Sequence, residues 1–158
     1  MIDIENKIVN DVTTALETAY GTLYPGLVVY DTEVELAESF PCVTIVMSDN
    51  ATLTSTREFG KLTENHAVLS LTVNVYTNNA VGKKELGKAI FATIDGILQN
   101  YNFTRTMVMP TQNIDRTVAR ITGRYMAIVG EPIVETTSET INGETVVTET
   151  LVYSVFKN

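Results

Sequence analysis

Several residue types are nearly missing from this sequence. In 158 residues there is one cysteine, Cys42, one histidine, His66, and no tryptophan. A lone cysteine closes no internal disulfide, and its setting in "FPCVTIVM" reads as a buried, inert thiol on a strand. One imidazole, one thiol and scattered carboxylates give no ligand spacing for a metal. His66 stands beside Glu64 with no serine or cysteine motif around it, which predicts a strand-end histidine and no catalytic base. Basic residues are scarce too, 11 against 19 acidic ones, for a net charge of −8. That argues against a generally basic surface for nucleic-acid phosphates. No apolar run approaches the ~20 residues of a membrane span, and the acidic, mixed start "MIDIENKIV" does not read as a secretory signal. These absences predict a non-enzymatic protein without cofactor or metal, made in a cytosol and kept there at least initially.

What is present is a globular balance, 44% apolar and 19% charged. The length predicts a single domain over 1–158, with a core of about 1–132 and a C-terminal extension of about 133–158. Ile4, Ile8, Val12, Leu16 and Ala19 recur at helical steps, which predicts a helix over 3–20 with Gly21 as its stop. "LVVYDTEVEL" reads as a strand in which Asp31, Glu33 and Glu35 alternate with Val34 and Leu36. Such an acidic row suggests calcium only weakly, because no calcium-loop glycine pattern accompanies it, and a solvated or partner-facing strand is the better reading. A second strand follows at 40–48, then a Thr-rich, apolar-poor stretch over 49–65 that contains Arg57 and reads as a long loop or as the far end of a hairpin that leaves the core. "HAVLSLTVNVYTN" is a period-two strand, with Leu69, Leu71, Val73 and Val75 on one face. Residues 80–100 read as a second helix with a stripe of Leu86, Ile90, Thr93, Ile94, Ile97 and Tyr101. "TRTMVMPTQNID" is a strand interrupted or ended by Pro110. In "RTVARITGRYMAIVG", Ile121, Tyr125, Ala127 and Val129 share one face and Arg116, Arg120 and Arg124 the other. Asn142-Gly143 predicts a type I′ hairpin that pairs Ile141 with Glu144 and Val134 with Leu151. Its base is apolar, its tip is Thr- and Glu-rich, and 131–158 carries five glutamates against Lys157. The fold class expected is α+β: a mostly antiparallel sheet with two helices packed on one side, plus a C-terminal β-hairpin arm.

"GKKELGKAI", residues 82–90, imitates a phosphate-binding loop up to Lys88. The motif then needs a Ser or Thr to hold magnesium, and the chain has Ala89. Leu86, Ile90 and Ile97 place the stretch inside a helical stripe, so the expectation is a helix start with Asn78 or Asn79 as cap, and Gly87 where another part of the chain packs closely. The three arginines have two readings. One is a solvent face with local ion pairs; the other is a subunit or partner surface whose guanidinium forks meet the 31–38 carboxylates or the Glu-rich arm. On that second reading Arg116, Arg120, Arg124, Asp31, Glu33, Glu35, Arg57, Asn142 and Gly143 are the interface candidates.

An N-terminal amphipathic helix comes first, then "PCVTI" and a polar loop. "VLSLTVNVY" follows, then the 78–90 pattern N-x-A-x-x-x-x-x-L-x-x-x-I and finally "RITGRY". Over roughly residues 1–130 this order resembles the tail terminator (tail completion, or minor tail) proteins of long-tailed bacteriophages. The resemblance implies a virion protein of the tail or neck, assembled in the host cytoplasm. It implies a ring, hexameric in that family, that caps the tail tube protein and offers a surface to the head–neck connector, with DNA passing through the lumen without specific binding. It also implies an α+β sandwich. The "INGET" arm is longer than in the compact members, which leaves another neck ring, a tail tube subunit or a cytosolic adaptor as alternatives.

Overall fold

In a computed structural model, the structure describes residues 2–56, 66–78, 80, 83–113, 115–130, 133–141 and 144–156, with backbone alone at 56, 83, 133–151 and 156. Helix α1 spans Glu5–Leu16. Asp3 Oδ1 accepts the Glu5 amide at 3.0 Å and so covers one open donor of the first turn. Ile8, Val12 and Leu16 are fully buried, as their spacing predicts. Ala19, expected to continue the stripe, is exposed instead. The helix widens into a π-turn at Glu17–Gly21. Here Thr18 Oγ1 donates to the Thr14 carbonyl at 2.7 Å, and such back-bonding loosens a helical ladder. The extra residue per turn rotates the stripe, so Tyr20 packs on the core in place of Ala19.

Among the described residues one sheet has the strand order β1-β2-β3-β5-β4: β1 is Val28–Tyr30, β2 Cys42–Thr52, β3 His66–Asn78, β4 Thr104–Thr111 and β5 Val118–Gly130. Helix α2, Lys83–Asn100, connects β3 to β4, and β5 lies between those two strands. All pairings in this order are antiparallel except that of β1 with β2. The architecture is α+β, as expected. A separate two-stranded pair, β6 (Ile133–Ile141) and β7 (Glu144–Val152), sets Ile141 opposite Glu144 and Val134 opposite Leu151. The turn residues Asn142 and Gly143, and Arg57 in the 57–65 stretch, lie outside the described residues. The chain then returns to the main sheet as β8, Val155–Phe156, which pairs with Ile128 and Val129 of β5.

Two expected boundaries change. The strand expected over 27–36 stops at Tyr30. In the register of Val29 with Val43, continuation would set Asp31 opposite Ile45, on the apolar face beneath the helices. Burying an unpaired carboxylate there costs more than a strand gains, so 31–41 leaves the sheet. The second strand, expected to end at 48, runs on as β2 to Thr52 against Ser70–Ala67 of β3, past a bulge after Met47, which favours the hairpin reading of the start of 49–65 over the loop one. Glu5 Oε1 accepts the Met47 amide at 2.6 Å, which secures the donor beside the bulge.

Both helices cover one face of the sheet. Val43 and Ile45 of β2, Leu69, Leu71, Val73 and Val75 of β3, and Tyr125, Ala127 and Val129 of β5 form a single core with α1 and with Leu86, Ile90, Ile94 and Leu98 of α2. Each such aliphatic side chain contributes roughly 1.5–3 kcal/mol on full burial. Phe91 and Leu98, absent from the expected stripe, are core residues. Gly123 lets the Phe91 ring lie against β5, since any Cβ there would overlap it.

Candidate functional site

The face turned away from the helices is where the candidate residues gather. In register across β2, β3, β5 and β4 stand Thr44, Asn74, Thr122 and Met109, with Cys42, Tyr76, Arg120 and Thr111 in the next row. Asn74, 1% exposed, is the centre. Its Oδ1 accepts from Arg120 Nε at 3.1 Å, Arg120 Nη2 at 3.0 Å and Thr122 Oγ1 at 2.8 Å. Its Nδ2 donates to Thr44 Oγ1 at 3.1 Å. Thr111 Oγ1 donates to Thr122 Oγ1 at 2.8 Å. Burying these groups is tolerable because they satisfy one another. The Arg120 guanidinium also lies 5.3 Å from the centre of the Tyr76 ring. Burial raises the Tyr76 hydroxyl above its usual range, and the Arg120 charge partly offsets this.

The three arginines are not one row. Arg116 sits in the turn before β5, and only Arg120 and Arg124 are on the strand, where they share a face. A chain reversal at Asp115–Thr117, fixed by Asp115 Oδ1 accepting the Thr117 amide at 2.8 Å, ends the period-two pattern there. Arg120 bonds an amide in place of the carboxylate the local ion-pair reading required. Arg124 is exposed. Asp31, Glu33 and Glu35 are exposed on the segment that leaves the sheet, so their alternation is not that of a strand. Glu33 and Glu35 face Tyr76 and Arg120 across a cleft of about 460 Å³.

On the other side of Arg120 lies a groove of about 570 Å³ lined by Lys84, Lys88, Arg116 and Arg120, with Pro110, Val118 and Ile121 among its apolar wall. The lysines are those of the loop-like "GKKELGKAI". Gly87 is inside α2, where a Cβ would meet Thr77 Oγ1 at 3.2 Å and Ile121 Cδ1 at 3.4 Å. From Lys83 on the stretch is therefore a helix packed on the sheet, and its described residues form no backbone cradle. Asn78 Oδ1 accepts the Ala80 amide at 3.1 Å just before the helix.

Cys42 is buried, and burial pushes its thiol up to about 11, away from reactivity. His66 opens β3, half-buried, as expected of a strand-end histidine. Among the described residues no group of three or more His, Cys, Asp or Glu side chains converges to hold a metal. Among them, too, no helix is long and apolar enough to cross a membrane.

Sequence reading missed two polar ties. Asp95 accepts Tyr125 Oη at 2.8 Å and Arg105 Nη1 at 2.9 Å, which links α2, β5 and β4. Burial, then the bond to Asp95, raises the Tyr125 hydroxyl strongly. Lys7 Nζ donates to Tyr101 Oη at 2.7 Å and pairs with Asp11 at 3.1 Å, which links α1 to the end of α2. Asp95 sits between the stripe residues Ile94 and Ile97, and an acid beside an apolar stripe opposite a strand tyrosine was the available signal.

No protein-family model and no curated protein sequence matches the chain.

Proposed function

We propose that the chain is a structural subunit that forms a ring, hexameric by the resemblance, on the end of a phage tail tube and joins the tube to the head–neck connector. The observation that carries this reading is the open edge of the sheet. Among the described residues strand β4 pairs on one side only, and it carries exposed Val108 and Met109, one on each face of the sheet, 45% and 47% accessible. An apolar edge strand is a template for another chain and has to be covered. Covering it with the next subunit, head to tail, gives a contact that closes when the rotation suits a ring. The element order behind the resemblance, α1, β2, β3, α2 and β5, supports the same reading. Such a ring stops tube growth if one face copies the tube's docking surface and the other does not repeat it. The surplus of acidic residues would keep DNA moving through the lumen. In this proposal the subunit is assembled in the host cytoplasm and ends in the virion neck.

The arginines and the acidic segment are not assigned to ring closure. Head-to-tail contacts need their two halves on separate sides of the subunit. Here both surfaces share Arg120.

The test is light scattering on the purified chain, with negative-stain images, alone and with tail tubes. A ring of about six subunits, alone or on tubes, supports the proposal. A hollow stack of unlimited length would make it a tube subunit, and a monomer indifferent to tubes an adaptor. Val108→Lys with Met109→Lys should abolish the ring while leaving the monomer folded, because both side chains are exposed.

A further inference from the structure

We propose that the cationic groove and the acidic segment 31–38 are the two halves of a contact between two copies of this chain, each copy's segment lying in the other's groove about a two-fold axis. The inference does not rest on the ring reading.

The groove comes first. Four of the chain's 11 basic residues line it, and among the described residues no carboxylate does, in a chain that carries 19 acids. Lys84 and Lys88 stand one turn apart on the exposed side of α2. Among the described residues neither makes an ion pair. Arg120 is pre-set: its Nε–Nη2 edge is held by Asn74 and its plane by Tyr76. That leaves the end of the fork, Nη1 with the second Nη2 hydrogen, to take a carboxylate from outside. Pro110, Val118, Ala119 and Ile121 give it an apolar floor, and Thr111, Gln112 and Asn113 a polar end. Cations around an apolar floor select a peptide that alternates carboxylates with aliphatic residues. A bare phosphate backbone would leave the floor unused.

The chain owns such a peptide. Asp31, Glu33, Glu35 and Glu38 are all exposed, and Leu36 among them is 73% accessible. The segment's own subunit cannot seat it fully. Its Glu33 and Glu35 reach the Arg120 side, but Lys84 and Lys88 do not line the cleft in which those glutamates lie. A second copy's segment can span the whole groove, placing carboxylates on the lysines and Leu36 on the floor. Because segment and groove adjoin through Gln112, Asn113 and Arg120, one two-fold contact satisfies both copies at once. A contact led by exposed charges is modest in strength and sensitive to salt.

The experiment mixes copies labelled with heavy nitrogen and unlabelled copies, joins carboxylates to amines with a zero-length carbodiimide, and maps the links by mass spectrometry. The expected result is mixed-isotope links from Lys84 or Lys88 to a carboxylate within 31–38, in a product that stops at two chains. High salt should weaken them roughly tenfold or more. Lys84→Glu with Lys88→Glu should abolish them, and so should Asp31→Lys with Glu33→Lys and Glu35→Lys. Mixing the two variants should restore them with the charges exchanged. All five substitutions change exposed side chains, and circular dichroism checks that each variant is folded. Links confined to single-isotope pairs, links that persist through Glu38 in the Asp31, Glu33 and Glu35 variant alone, or no links in the mixture of the two variants, would overturn the contact. A ladder that runs past two chains through the same links would overturn the two-fold arrangement. Ring formation on tubes is read by microscopy, so either proposal can fail without the other.

Discussion

The two faces of the sheet are both closed to water at their centre, and they are closed by opposite chemistry. Under the helices, Ile45, Val73, Tyr125 and Ile94 are buried by apolar contact. Behind the sheet, Thr44, Asn74 and Thr122 are buried by satisfying one another. The first face draws its stability from area removed from water and tolerates approximate shapes. The second gains little net stability from each bond but loses heavily when one partner goes, since the rest stay buried and unpaired. The contrast suits their positions. The apolar face holds the subunit together, and the polar one fixes Arg120 where the surface begins.

The largest effect should come from the helix-covered face. Ile94→Ala removes a fully buried side chain and should cost about 3 kcal/mol in denaturant unfolding, within the ~2–5 range for such cavities. Asn74→Ala should cost about 2 kcal/mol by stranding three donors. Replacing the set together, as Asn74→Leu, Arg120→Met and Thr122→Val, should recover most of that loss. If the triple variant were much weaker than Asn74→Ala, the two faces would not differ in the way described. A smaller effect is set by pH, because both faces bury groups whose protons are held too tightly, Cys42 and Tyr76 behind the sheet and Tyr125 beneath the helices. A raised folded pKa means that the native state binds the proton more strongly. The contribution is complete below the unfolded value and is lost as pH climbs through the folded one. Stability should therefore hold up to about pH 9 and fall toward pH 11 and beyond, with Cys42→Ala removing the thiol's share. Iodoacetamide should label Cys42 about a hundredfold more slowly in the native chain than in urea at equal pH. The smallest effect belongs to neither face. Lys7→Met breaks the exposed Lys7–Asp11–Tyr101 tie and should shift stability by no more than about 0.5 kcal/mol.

The same contrast explains what was legible in the sequence. Apolar alternation marks β3 from His66 to Asn78 to the residue, because burial on one face leaves a period of two. Periodicity also found α2 and the inward side of β5. It failed where partners decide the outcome. Nothing local says that Asp31 would land beside Ile45, so the acidic alternation looked like a strand. Nothing local says that Thr18 would bond back and turn Ala19 outward. Alternation puts Asn74 on the face opposite Leu71 and Val73; its burial there depends on Thr44, Thr122 and Arg120, which are 30, 48 and 46 residues away. Arg120 was singled out, but as one of a row of three. The row dissolved because Arg116 belongs to a turn, and the lysines that complete the groove had entered as a false nucleotide motif.

Strand β5 is the last of the long strands to be synthesised, yet it pairs along its length with β3 and with β4 on its other side. In the finished sheet β3 and β4 flank a slot one strand wide, about 10 Å across, that β5 fills. Until Gly130 has emerged, the two rows of peptide groups that line it lack that partner. The β5 of a neighbouring nascent chain would fit the slot equally well, with the same register and the same arginines. Crowded polysomes are thus the setting in which this fold is most exposed to strand exchange, and slowing translation just before residue 118 should raise the yield of entangled dimers.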